Sequence, residues 1–132
     1  MIGIVIVTHA RLASELLQAA ELILGSLPLV EAVSIDREMS VELVHNHLEQ
    51  VISSIGADGV LIMTDLFGGT PTNISAEFLS PGKVEIITGV NLPMLIKATS
   101  ARTNADLDGL ACLLLEYGKK AIMRPSELLG LL

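Results

Sequence analysis

Neither Ile2–Val7 nor Val60–Met63 contains a polar side chain. A strand points alternate side chains to opposite faces, so a run of this kind has no face to give to water. It belongs inside a sheet covered on both sides, which means a parallel sheet flanked by helices. The remaining segments supply those helices. A helix is predicted from about Ala10 to Leu24, with Ala13, Leu16, Leu17, Ala20 and Leu24 on one face and a stop at Gly25. Leu29–Ile35 is a second strand, weakened by Glu31 and Ser34. Beyond the polar loop Asp36–Met39, Ser40 caps a helix whose apolar stripe is Val41, Val44, Leu48, Val51, Ile52 and Ile55, ending at Gly56.

Val60–Met63 forms the third strand, ended by Thr64 and Asp65, and the helix after it is expected to run to about Leu79. A turn at Ser80-Pro81-Gly82 leads to a fourth strand, Val84–Thr88. Gly89-Val-Asn-Leu-Pro93 then opens a helix over about Met94–Ala101. Thr103–Asp106 caps another, running to Tyr117 and stopped by Gly118. Ala121–Met123, between Lys119-Lys120 and Arg124, reads as a short edge strand protected by charge. Ser126–Leu132 reads as a small docking helix, although its apolar residues could equally pack on a second subunit. The whole chain, 1–132, is expected to form one three-layer αβα domain. Its sheet is mostly parallel, in order 2-1-3-4, with the short antiparallel strand at the C-terminal edge.

Composition closes off several functions. A net charge of −7 and 2% aromatic residues leave no basic patch and no stacking platform for nucleic acid. Cys112 is the single cysteine, so one chain can build neither a disulfide framework nor a zinc cluster, and Leu113–Leu115 beside it suggest burial. The start of the chain lacks the basic flank of a signal peptide, and no apolar run reaches the length of a membrane span. A cytoplasmic protein is expected. No Walker-type loop and no Gly-x-Gly-x-x-Gly follow the first strand, so a nucleotide is not called for, nor is any other cofactor or metal. His45 and His47 look like a metal pair. On a helix, however, two residues apart is roughly 200° apart, so they are read as solvated flanks of the stripe.

In an open parallel sheet the site lies beyond the C-terminal strand ends, where the strand order reverses. Order 2-1-3-4 puts that reversal between the first and third strands, whose ends carry His9 and Asp65. A carboxylate accepting Nδ1–H fixes the imidazole tautomer and leaves Nε2 as a lone-pair nucleophile. Phe67-Gly68-Gly69 allows a tight turn, with Thr70 expected as N-cap and Pro71 as first helical residue. Free N–H groups and the helix dipole there would receive an anion.

Three segments together carry a family resemblance: Gly3-Ile-Val-Ile-Val-Thr-His9, Asp65-Leu-Phe-Gly-Gly-Thr-Pro-Thr-Asn73 and Gly89-Val-Asn-Leu-Pro-Met94. In order and spacing they resemble the mannose-type EIIA of the sugar phosphotransferase system, over nearly the whole chain. The resemblance implies a phosphotransferase whose histidine, His9 here, accepts a phosphoryl group from phospho-HPr and passes it to an EIIB protein. It places the hydrogen-bonding acid at Asp65 and a phosphate-contacting hydroxyl at Thr70, where some relatives have serine. Gly68, Gly69 and Thr72 are expected to add donors from the turn and the helix start, Thr72 because Pro71 has no N–H to give. Phe67 stands where some relatives carry tryptophan. A homodimer is implied, with a C-terminal strand completing the sheet and membrane EIIC and EIID engaged only indirectly. A dihydroxyacetone kinase phosphotransfer subunit, of the same fold, and a purely regulatory EIIA-like protein are the competing readings.

Overall fold

The computed structural model describes residues 1–55 and 58–131. In chain order the elements are β1 (Gly3–His9), α1 (Leu12–Leu24), β2 (Val30–Ile35), α2 (Val41–Ile55) and β3 (Val60–Thr64). These are followed by α3 (Thr70–Ala76), β4 (Val84–Ile87), α4 (Leu92–Ala101), α5 (Leu107–Lys120) and α6 (Pro125–Leu128). The strands form one sheet in the order β2-β1-β3-β4, and every pairing is parallel. Gly56, expected to end the second helix, and Leu132 lie outside the described residues.

Period-two alternation sorts the strand side chains into two cores. Ile4, Ile6, Leu61 and Met63 face α1, α4 and α5, packing with Ala13, Ala20, Leu95, Ala98, Leu110 and Leu114. Val5, Val7, Val60 and Ile62 face the opposite way, onto Val44, Leu48, Ile55 and Ile74 of α2 and α3. All of β3 and all of β1 before His9 is buried: the apolar runs Ile4–Val7 and Val60–Met63, as strands covered on both faces require, and Thr8 and Thr64 at their ends. At the lower end of the sheet Arg102 is also buried. It donates from Nη1 to Ile2 O and Leu29 O, both at 3.2 Å, and from Nη2 to Pro28 O at 2.6 Å. Three carbonyls thus hold a cation where a carboxylate is the usual partner, and desolvation pushes the guanidinium pKa down.

Several expectations need correction. No antiparallel edge strand forms over Ala121–Met123 among the described residues. Helix α5 continues to Lys120, Ala121 caps it by donating to Tyr117 O at 3.0 Å, and Ile122 and Met123 are 80% and 63% exposed. Gly118 does not stop α5. It is buried within it, because a Cβ there would collide with Met94 Cε, so the glycine serves helix packing. Helix α3 ends at Ala76, short of Leu79, as the chain tightens into three successive i to i+3 bonds at Glu77, Phe78 and Leu79. Its N-cap is Gly69, with Thr70 already in the helix and no side-chain cap. Val41 is exposed rather than part of the buried stripe, and Cys112 is exposed because Leu114, not its neighbours, points into the core. The tail does not dock on this chain: Leu128, Leu129 and Leu131 are all exposed.

Candidate functional site

Parallel pairing puts every strand's C-terminal end on the same side of the sheet, and β1 lies between β2 and β3. Val7 is level with Thr64, and His9 is level with Ile35. Asp65, the residue after β3, therefore stands beside His9. Its Oδ2 lies 2.9 Å from His9 Nδ1 and also accepts the His9 backbone N–H at 3.0 Å. A carboxylate can only accept, so Nδ1 carries the hydrogen and Nε2 keeps its lone pair. The histidine side chain is 50% exposed and the aspartate 13%, which seats the acid below and the ring at the surface. Asp65 Oδ1 is buried without a hydrogen-bond partner among the described residues.

The ring is framed by backbone as well. Thr8, wholly buried, accepts the Ala13 N–H on its Oγ1 at 2.7 Å, so it caps the first turn of α1 that Arg11 leaves uncapped. Ala10 takes a positive φ of 50°, unusual for a residue with a Cβ, and donates to Ile35 O at 2.7 Å. These contacts turn the chain sharply after His9 and hold the ring at the end of the sheet. Neither Thr8 nor Ala10 carries a signal in the sequence: the predicted helix starts at about Ala10, and a positive φ at an alanine leaves no trace in composition.

Opposite the ring, Gly68 has φ +85°, and Gly69 approaches the ring near Cε1. A Cβ on Gly69 would lie 2.8 Å from His9 Cε1, closer than a methyl group can sit, and 3.4 Å from Nε2. Thr70 is exposed and lines, with His9, Ala10, Arg37, Met39 and Ile74, a cleft of about 540 Å³. Thr72 uses its side chain inside the turn. Its buried hydroxyl donates to Leu66 O at 2.7 Å and lies 2.6 Å from Thr64 Oγ1, closing the turn from within. Only its N–H remains for an anion. Gly89 and Val90 brace the same end of the sheet, with Val90 N donating to Thr64 O at 3.0 Å. Asn91 caps α4 by accepting from Met94 N at 2.9 Å.

The other histidines lie elsewhere. His45 stacks on Phe78 at 4.7 Å and pairs with Glu77 at 3.2 Å, while His47 is exposed. Phe67, in the turn between Asp65 and Gly68, is 81% exposed. Among the described residues no helix is long and apolar enough to cross a membrane.

The chain is similar to known proteins in sequence and in fold. The family model EIIA-man, described as the PTS system fructose IIA component, matches residues 3–113. The chain is 32% identical over 124 residues to the mannose-specific EIIAB component of Escherichia coli K12, covering 92% of this chain and 38% of that longer protein. With the sorbose-specific EIIA component of Lacticaseibacillus casei it shares 29% identity over 125 residues, covering 94% of this chain and 91% of the relative. The crystal structure of a phosphotransferase-system EIIA from Streptococcus agalactiae superposes with a TM-score of 0.89 at 30% identity, covering 96% of this chain and 99% of that one. By the extent of the family match and by its fold, this chain belongs to the EIIA-man family of phosphotransferase-system IIA components.

Proposed function

We propose that this domain is a histidine phosphocarrier of the sugar phosphotransferase system. In this reading His9 takes a phosphoryl group from phospho-HPr and passes it to an EIIB partner. The single observation that carries the proposal is the 2.9 Å contact between His9 Nδ1 and Asp65 Oδ2, which leaves Nε2 on the open side of the ring. The Nε2 lone pair attacks phosphorus, and the N–P bond forms as the bond to the donor's leaving atom breaks, its electron pair returning to the donor. The phosphorylated ring keeps its Nδ1 proton and becomes imidazolium-like, and the Asp65 carboxylate stabilises that charge. No proton has to be removed before attack. Transfer to EIIB reverses these steps.

The phosphoryl group would sit against the Gly68-Gly69 turn, with the Thr70 hydroxyl and the N–H groups of the first turn of α3, including that of Thr72, as donors. The relatives' names carry mannose, sorbose and fructose on one kind of domain, which suits a carrier that leaves sugar choice to its partners. A homodimer fits the same reading. Ile122 and Met123 leave α5 exposed, β4 is a sheet edge, and Leu128, Leu129 and Leu131 stand clear of the domain. A cytoplasmic location follows from partners of this kind.

The test is incubation with phosphoenolpyruvate, enzyme I and HPr, followed by mapping of the labelled residue. A stable label on His9, discharged by an EIIB protein, is the expected result. Absence of labelling, or a label elsewhere, defeats the proposal.

A further inference from the structure

The residues singled out for holding a phosphoryl group on His9 are all on one side of the ring, and all are neutral. They are Gly68, Gly69, Thr70 and Thr72. The opposite wall of the cleft is the loop between β2 and α2, which contributes Asp36, Arg37 and Met39. This loop is fixed relative to the ring. His9 is level with Ile35 across the sheet, Ala10 N donates to Ile35 O at 2.7 Å, and Arg37 follows two residues later. The loop is also shaped from within, since Asp36 Oδ1 accepts the Glu38 N–H at 2.9 Å and so brackets Arg37 in a local turn.

Arg37 is the one lysine or arginine among the residues lining this cleft, and its side chain is exposed. Among the described residues the ion pairs engage Lys119, Arg124, His9, His45 and the N-terminus, and none engages Arg37. The other charged or titratable groups on the cleft are His9 itself and Asp36, with Asp65 behind the ring. Without a phosphoryl group the two carboxylates outnumber the arginine. With one, about two more negative charges arrive in a chain whose net charge is already −7.

We propose that Arg37 is the counter-cation of phosphorylated His9, a residue of the phosphoryl subsite supplied by the β2–α2 loop, facing the glycine turn across the cleft. This rests on the phosphocarrier reading above. The guanidinium holds a planar fork of donors suited to phosphate oxygens. Its reach from an exposed loop lets it close on the group after transfer and withdraw for the next. Because the cation favours the dianion over the monoanion, it also lowers the pKa of the bound phosphoryl group.

Two measurements on wild type, Arg37→Gln and Arg37→Lys test this. The first is the equilibrium ratio of phosphorylated carrier to phospho-HPr after mixing. Since that ratio compares free species, a role for Arg37 only in docking the donor changes the rate and leaves the ratio unmoved. Arg37→Gln should lower the ratio about three- to tenfold, a modest effect because the site is open to solvent, and added salt should shrink the difference. Arg37→Lys, which keeps the charge and loses the fork, should fall between the two. The second is a phosphorus NMR titration of protein phosphorylated chemically with phosphoramidate, which needs no partner. The phosphoryl pKa should rise in Arg37→Gln. Equal ratios and equal titrations in wild type and Arg37→Gln overturn the inference while leaving the phosphocarrier reading intact. A wild type that takes no phosphoryl group from phospho-HPr overturns that reading and this inference with it.

Discussion

One carboxylate oxygen of Asp65 holds His9 twice: Oδ2 accepts the ring Nδ1–H at 2.9 Å and the backbone N–H at 3.0 Å. The end of β3 thereby sets both the tautomer of the imidazole and the path of the chain that carries it. The pairing links adjacent parallel strands in which Val7 is level with Thr64, so the sheet itself fixes the separation.

His9 is expected to be the sole phosphorylation site. His9→Ala should abolish labelling from phospho-HPr, whereas His45→Ala and His47→Ala should label normally, since His45 is engaged with Glu77 and Phe78 and His47 faces solvent. A label persisting in the His9 variant would refute this assignment.

Asp65→Asn should preserve the fold and slow transfer on the order of 10²-fold. An amide can present its N–H₂ to Nδ1, which moves the ring hydrogen to Nε2 and removes the attacking lone pair. The corresponding change in a serine-protease triad costs roughly 10⁴-fold, but there a hydroxyl must also be deprotonated. Single-turnover rates in both directions provide the check, and unchanged rates would leave Asp65 as a turn residue only.

Gly69→Ala tests the close approach of the turn. Its φ of −83° is open to alanine, so the cost is steric: the new Cβ would sit 2.8 Å from His9 Cε1. The half-exposed ring should yield first and leave Asp65. Phosphotransfer should fall about tenfold or more, because small misplacements of a reacting group are expensive, with the urea midpoint little changed. Normal transfer by this variant would mean that the ring tolerates displacement.

Thr70→Val keeps the shape of the side chain and removes the hydroxyl that lines the cleft. A charge-assisted hydrogen bond contributes about 1.5–3 kcal/mol, so the equilibrium with phospho-HPr should shift about ten- to a hundredfold against the phosphorylated form. Thr70→Ser should be nearly silent. If the valine variant equilibrates like wild type, backbone donors hold the group without the side chain.

Arg102→Met concerns stability alone. The substitution withdraws both nitrogens that reach Ile2 O, Pro28 O and Leu29 O; Leu29 O keeps the Ile4 N–H at 3.0 Å, so the cost falls mainly on the buried Ile2 O, and a loss of about 1–3 kcal/mol is expected. Urea unfolding should show a lower midpoint at unchanged slope. A midpoint equal to wild type would show that water reaches these carbonyls.

Much of this molecule was legible in the sequence because short-range rules decide it. Strands without polar side chains, helices with one apolar stripe, and prolines after glycine turns prescribe the alternation and hence a parallel sheet. The strand order that follows places His9 beside Asp65. What the sequence left to tertiary structure are the features set by contacts between distant segments. Whether Gly118 ends a helix or lets Met94 pack depends on α4, 24 residues earlier in the chain. Thr72 spends its hydroxyl on Thr64 and Leu66 because the turn folds back over β3. Ala121–Met123 has the composition of a strand, but a strand exists only where another offers its edge, and within this chain α5 carries these residues away from the sheet. Arg37 entered the site in the same way. Nothing in a polar loop marks one arginine, and only the pairing of β1 with β2 brings it to the cleft that holds His9.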